Sequence, residues 1–185
     1  NVFAKANLTG VNLENALLDD LTSAALAPLV NLKALDLGRT RMTDVGFQNL
    51  VKLSKLEEIY CYNMQITGGG FEAFSAKYAK SPLRIVAVNN TQFGSYGFAH
   101  LEGKETLQKL VAGSAGVSDA SLTHLRGMKS LRSLLLAGNS ISDMGLKVLS
   151  SMNDLEELDL GENTLVSDFT LNKIRNFKKL KTLRV

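Results

Sequence analysis

The chain has 185 residues, 45% of them apolar, and its 21 Lys and Arg against 18 Asp and Glu leave a net charge of +3. That is enough apolar material for a sizeable core in one domain and too small a charge bias to imply nucleic acid, and no stretch approaches the roughly 18 apolar residues of a membrane span. A single cysteine, Cys61, excludes an intramolecular disulfide, and two prolines leave no proline-rich linker.

An apolar triplet with the spacing L-x-x-L-x-L recurs from end to end. It starts at Leu8, Leu32, Leu56, Leu83, Leu107, Leu131, Leu155 and Leu180, and successive starts lie 24 residues apart except for steps of 27 after Leu56 and 25 after Leu155. A period this regular marks a solenoid. The last two apolar positions of each triplet are two apart and share one face of a strand, whereas the later ones lie three apart, as on one side of a helix turn. One unit therefore has an apolar edge on its strand and another on its helix, and encloses no core alone. Stacking the units buries both edges and lines the strands up as a parallel sheet.

In chain order, the first unit runs from Leu8 to Asn31 and is predicted as a strand followed by a helical turn holding Leu26 and Leu29, shortened or distorted by Pro28. In the second unit Met42, Phe47, Leu50 and Leu53 point inward. Thr43 is placed to cap the helix by accepting from a first-turn amide, Ser118 and Ser142 fall in equivalent slots, and the Asp that follows each complements the positive end of the helix dipole. The third unit carries Cys61 in a core slot, expected to be an inert buried thiol, then Gly68-Gly69-Gly70 and three extra residues near Tyr78 to Pro82. No Gly-Lys-Ser/Thr follows those glycines, so they form no phosphate loop.

The fourth and fifth units place His100 and His124 in matching helical slots. Ala73 and Val148 occupy the flanking copies, so surface histidines are expected rather than a metal site. Asn139 and Asn163 hold a corner slot whose side chain bonds backbone between adjacent coils. Thr40 and Thr91 do this in part, and Ala16, Met64 and Ala115 do not, so the early corners are expected to be less uniform, with backbone amides turning to water or neighbouring carbonyls. The seventh unit has one extra residue around Val166, after which Asp168, Leu171, Ile174 and Phe177 restore the pattern. The basic residues Lys173, Arg175, Lys178, Lys179, Lys181 and Arg184 are expected on a solvated outer face. Val2 matches the helical position of Leu26 and Val185 ends on a strand, so residues 1–185 are expected to be a single repeat domain cut from a longer protein.

The complete pattern, L-x-x-L-x-L-x-x-N/T-x-I-S/T-D-x-G-L-x-x-L-x-x-L, resembles the leucine-rich repeat family. The corner in Thr43-Asp44-Val45-Gly46-Phe47 and in Ser142-Asp143-Met144-Gly145-Leu146 is similar to a variant of bacterial and protozoan repeat proteins and of the substrate-binding arms of F-box proteins. The resemblance implies an α/β fold: a right-handed leucine-rich-repeat solenoid with a parallel β-sheet on the concave side and short α or 3-10 helices on the convex side. It also implies recognition of a macromolecule without a cofactor. The disulfide-bonded caps of animal extracellular members are not visible, which favours a cytoplasmic or bacterial setting, and a secreted effector also fits.

Residues between the inward strand positions face the open side. One column reads Asn12, Asp36, Tyr60, Ala87, Val111, Leu135, Asp159 and Arg184, and the next reads Glu14, Gly38, Tyr62, Asn89, Gly113, Ala137 and Gly161. At about 4.8 Å between strands, Tyr60 to Leu135 would make an exposed stripe about 14 Å long. With Asp36 and Asp159 as polar rim, Tyr60, Tyr62, Val111 and Leu135 as anchors and Ala87 and Asn89 between them, this stripe is the expected docking surface for a protein or peptide. No nucleic acid, membrane insertion or metal is expected, and the chain is expected to be monomeric. No Ser/His/Asp set, Cys/His cluster or H-E-x-x-H motif suggests an enzyme. The alternatives are a substrate-recognition arm of a larger enzyme or effector, of ubiquitin-ligase type for example, and a structural spacer or inhibitor. Asn7-Leu8-Thr9 and Asn89-Asn90-Thr91 are read as chance glycosylation sequons.

Overall fold

Each apolar triplet forms a three-residue strand: β1 (Gly10–Asn12), β2 (Ala34–Asp36), β3 (Glu58–Tyr60), β4 (Ile85–Ala87), β5 (Lys109–Val111), β6 (Ser133–Leu135), β7 (Glu157–Asp159) and β8 (Thr182–Arg184). In this computed structural model, which describes residues 7–75, 81–167 and 177–185, the strands build one open eight-stranded sheet in chain order, every neighbouring pair parallel. The register holds equivalent residues side by side, so Asp36, Tyr60, Ala87, Val111, Leu135 and Asp159 form one row across the sheet. A solenoid is thus what the triplet period builds.

The strands stay short because the chain turns away at a fixed point. Asn15, Arg39, Asn63, Asn90, Ser114, Gly138 and Glu162, one per repeat, adopt the left-handed region with φ between 48° and 68°. Asn and Gly adopt it readily; Arg39, Ser114 and Glu162 hold it against a steric cost of about 1–2 kcal/mol each.

Beyond the turn the chain returns through short helices. The first three, Thr22–Leu26, Gly46–Leu50 and Gly69–Phe74, are 3-10 helices, and Pro28 lies just past the end of the first. The later ones are α1 (Gly94–Leu101), α2 (Asp119–Leu122, continued by a 3-10 turn at Thr123–Leu125) and α3 (Asp143–Leu149). The inner apolar triplets are buried between the sheet and these helices, with Leu35, Ile59, Val86, Leu110, Leu134 and Leu158 wholly inaccessible, while the first and last triplets are only partly covered and Val185 is exposed. In the middle repeats the helical side is filled by phenylalanines, with ring centroids of Phe47–Phe71 5.4 Å apart, Phe71–Phe93 4.7 Å and Phe93–Phe98 6.0 Å, mostly tilted or edge to face. Cys61 occupies the expected core slot, and burial pushes its thiol well above the ordinary range, which makes it unreactive.

The corners keep the expected local caps at Thr43 and Ser142 and add contacts between repeats. Thr43 Oγ1 does accept from Val45 N, at 3.4 Å, and Ser142 Oγ accepts from Met144 N at 3.1 Å. The aspartates, however, reach across to the next repeat. Asp20 accepts from Thr43 N (2.8 Å), Thr43 Oγ1 (2.7 Å) and Gly46 N (2.9 Å), and Asp44 accepts from Thr67 N, Thr67 Oγ1 and Gly70 N. Asp119 holds Ser142 N and Oγ, and Asp143 holds Ser167 N and Oγ. The glycine of the S/T-D-x-G corner follows from the same contact: a Cβ on Gly46 or Gly145 would collide with the carboxylate arriving from the preceding repeat. Gly68 and Ser95 replace the aspartate in the third and fourth repeats. There Gly68, at φ +88°, lies directly against the Gly97 backbone, and Ser95 Oγ lies 2.8 Å from Ser121 Oγ.

Asn139 and Asn163 do bond the backbone of two coils. Asn139 Oδ1 accepts from Ala115 N and Val117 N, while its Nδ2 donates to Ala112 O and Leu136 O; Asn163 repeats part of the pattern one coil on. Thr40 and Thr91 donate only within their own coil, to Leu37 O and Val88 O. Early corners use backbone instead, with Arg41 N donating to Leu18 O and Gln92 N to Ile66 O. Most of the insertion near Tyr78, together with Asp168, Leu171, Lys173, Ile174 and Arg175, lies outside the described residues.

Two substitutions test this account. Leu134→Ala, which empties a wholly buried position, is expected to cost about 2–5 kcal/mol in urea unfolding. Asp119→Ala should cost about 1–3 kcal/mol by stranding the Ser142 donors, and should do so less than additively with Ser142→Ala; full additivity would show that the two side chains are not coupled.

Candidate partner-binding surface

Strand alternation sends three columns outward. Besides the two columns expected from the sequence there is a third, formed by Gly10, Ala34, Glu58, Ile85, Lys109, Ser133, Glu157 and Thr182. The signal for it was present, since residues two apart on a strand share a face. Of the expected site residues, Asp36, Tyr60, Tyr62, Asn89, Val111, Leu135 and Asp159 are part-exposed on this face, but Ala87 is only 6% exposed. The expected exposed stripe is therefore interrupted: the methyl of Ala87 is too short to emerge between its neighbours in the row, Tyr60 and Val111. Ile85, two residues earlier on the same strand, continues the apolar centre instead, next to Val111 and Leu135.

The two tyrosines are held in place by their surroundings. Tyr60 Oη donates to Glu58 Oε2 at 2.9 Å. The Tyr62 ring lies over Gly38, where a Cβ would collide with it, so the glycine makes room for the aromatic side chain of the next repeat. Burial, the hydrogen bond to Glu58 and the charges of Glu58 and Asp36 push the Tyr60 phenol up to about 12. Burial, a hydrogen bond to Glu14 and the charges of Asp36 and Glu14 push Tyr62 up to about 12, opposed by Arg39.

Asp36 and Asp159 each have a structural duty besides their place on the face. Asp36 Oδ1 accepts from Gly38 N at 2.9 Å and Asp159 Oδ1 from Gly161 N at 3.0 Å, as Asn12 Oδ1 does from Glu14 N, closing the turn after the strand. Their charges are balanced differently. Arg184 lies 3.4 Å from Asp159 and 3.8 Å from Glu157, whereas among the described residues neither Asp36 nor Glu58 has a Lys or Arg within ion-pair distance.

At the entry to the strands a separate charged ladder runs Lys33–Glu57 (3.1 Å), Glu57–Arg84 (3.3 Å) and, farther along, Lys181–Glu156 (2.6 Å). Lys33, then Arg84, holds Glu57 below the ordinary carboxylate range, and Lys181 does the same to Glu156. The described part of the basic C-terminal cluster, Lys178, Lys179, Lys181 and Arg184, is exposed as expected, and three of its members also form surface pairs, Lys179 with Asp154, Lys181 with Glu156 and Arg184 with the strand face. The histidines also differ from a free surface placement. His124 Nδ1 lies 2.9 Å from Glu102 Oε2, and His100 is half-buried with its ring 5.0 Å from that of Tyr96. Among the described residues no group of three His, Cys, Asp or Glu could hold a metal ion, and no helix is long and apolar enough to cross a membrane.

On the helical side a groove of about 530 Å³ opens between the second and third repeats, lined by Asp44, Val45, Gln48 and Glu72 among others. Asp44 is committed there to Thr67 and Gly70. Among the described residues that line the groove, no nucleophile and base are in contact.

The family description "Leucine Rich repeats (2 copies)" matches residues 129–173. The whole chain is also similar in fold to an internalin, inlF, from Listeria monocytogenes, with a TM-score of 0.78 at 19% identity over 99% of this chain. The chain is a leucine-rich-repeat solenoid. This chain spans about half of that internalin, 49% of its length. No curated protein matches the sequence.

The tyrosine environment is directly measurable. The absorbance step at 295 nm that separates the wild type from a Tyr60→Phe/Tyr62→Phe variant should centre near 12, with circular dichroism followed in parallel to register unfolding. A phenol whose ionisation is pushed up on folding adds stability below its unfolded value of about 10 and loses it as pH rises toward the folded one. A step near 10 in the still-folded chain would show that neither burial nor the carboxylates act on these rings.

Proposed function

We propose that this leucine-rich-repeat solenoid is a recognition module that binds a protein or peptide through the outward face of its strands. The supporting observation is the composition of that face: part-exposed Tyr60, Tyr62, Ile85, Val111 and Leu135 run across β3 to β6 between carboxylates at both ends. An apolar, partly aromatic centre inside a polar rim is the usual anatomy of a protein interface. Tyr60, Tyr62, Val111 and Leu135 are its anchors, Asn89 contributes a hydrogen-bonding amide, and Asp36 and Asp159 form the rim. Ala87 serves as the floor rather than as a contact.

The same face opposes a polyanion. Across its three columns five carboxylates (Glu14, Asp36, Glu58, Glu157, Asp159) meet two bases (Lys109, Arg184), a balance of −3 on a chain whose total is +3. Nucleic acid, which is bound chiefly through phosphate charge, would be repelled there. Recognition of this kind requires neither cofactor nor catalysis within these residues. It suits an isolated binding protein and equally the substrate-selecting arm of a longer one.

Peptides selected from a random twelve-residue phage library against the wild-type chain test this reading. Leu135→Asp, with Tyr60→Ala as companion, is expected to reduce their affinity at least tenfold, about 1.4 kcal/mol, while cooperative melting is kept. Undiminished binding to a variant that still melts cooperatively would remove the strand face as the interface.

A further inference from the structure

The occupied and unoccupied charges of the strand face give it a direction. At the β7–β8 end, Glu157 and Asp159 already have a cation of this chain, Arg184, at 3.8 and 3.4 Å. At the β2–β3 end, Asp36 uses Oδ1 for Gly38 N and Glu58 uses Oε2 for the Tyr60 hydroxyl, and among the described residues no base pairs with either. Arg39, whose charge acts on Tyr62, lies 3.9 Å from Glu14 with a side chain 59% exposed, a weak surface pair. Tyr60 and Tyr62, two residues apart on one face, supply aromatic surface beside these carboxylates. Carboxylates with two aromatic rings attract a guanidinium or ammonium both by charge and through the ring faces. The next three strands, β4 to β6, present Ile85, Val111 and Leu135, and Lys109 there disfavours a second cation.

We infer that the occupant of this face is a protein segment carrying Arg or Lys at one end and apolar side chains behind it, laid with its basic end over Asp36, Glu58, Tyr60 and Tyr62 and its apolar part over Ile85, Val111 and Leu135. The inference rests on the strand-face reading and adds the chemistry and polarity of the partner. From β2 to β6 the site spans about 19 Å, four strand spacings. That is about six residues of extended chain or about thirteen of helix.

The same phage library serves as probe, now read for composition and tested on Asp36→Asn/Glu58→Gln. Both substitutions keep the internal hydrogen bonds: Asn12 already closes the equivalent turn in the first repeat, and a Gln carbonyl still accepts from Tyr60. Selected peptides are expected to be enriched in Arg or Lys toward one end, to lose about tenfold in affinity against the double variant, and to bind more weakly as salt rises. Amide shift changes in the wild type should place the basic end at Tyr60 and Tyr62 and the apolar part at Leu135. Peptides that Leu135→Asp rejects but that show no basic enrichment, or that bind the double variant unchanged, would overturn the cationic partner and leave the strand face standing. Peptides insensitive to both sets of substitutions would overturn both.

Discussion

No repeat of this chain can bury its own apolar edges, and the rest of the structure follows from that. A three-residue strand and a one- or two-turn helix joined through tight corners expose leucines on both sides until a neighbour covers them. Strand pairing then comes in parallel and in constant register, because each copy must lie over the last for Leu35 to meet Ile59, Ile59 to meet Val86, and so on. The face opposite the core is left as a regular lattice of side chains whose identity is free to vary. That freedom is what makes a binding surface of it.

Stacking is reinforced at the corners by polar contacts that also cross from coil to coil. The carboxylate of each corner aspartate accepts from the Ser or Thr of the next repeat, and the asparagines of the later repeats accept from backbone amides of the preceding coil. These contacts satisfy donors that a solenoid would otherwise leave unpaired between coils. They are interrupted at Gly68 and Ser95, where close backbone approach at Gly68–Gly97, a serine pair and the phenylalanine stack take over. At the corners of the middle repeats these contacts stand where the carboxylate hydrogen bonds stand elsewhere.

The strand face shows the same division between what a side chain does for the fold and what it leaves available. Asp36 and Asp159 occupy equivalent positions and close equivalent turns, yet of the two only Asp159 has a cation beside it among the described residues. Tyr62 covers Gly38 and stays part-exposed, while Ala87 is sealed by its neighbours. A column of equivalent residues is therefore not a column of equivalent contacts. The available charge and aromatic surface gather toward β2 and β3.

By itself the sequence determined where the strands recur, the parallel sheet, the burial of the inner triplets and of Cys61, and two of the three outward columns, because periods of two and three residues say directly which side of a strand or helix faces in. Only the tertiary structure decided which carboxylate caps which corner, how far Ala87 recedes, and which acids on the face gain a counterion. Those outcomes depend on groups 22 to 27 residues apart in the chain, whose distances are set by how the coils stack and by the reach of individual side chains. A one-letter pattern records that the residues recur; hydrogen-bond geometry and screening decide what each recurrence does.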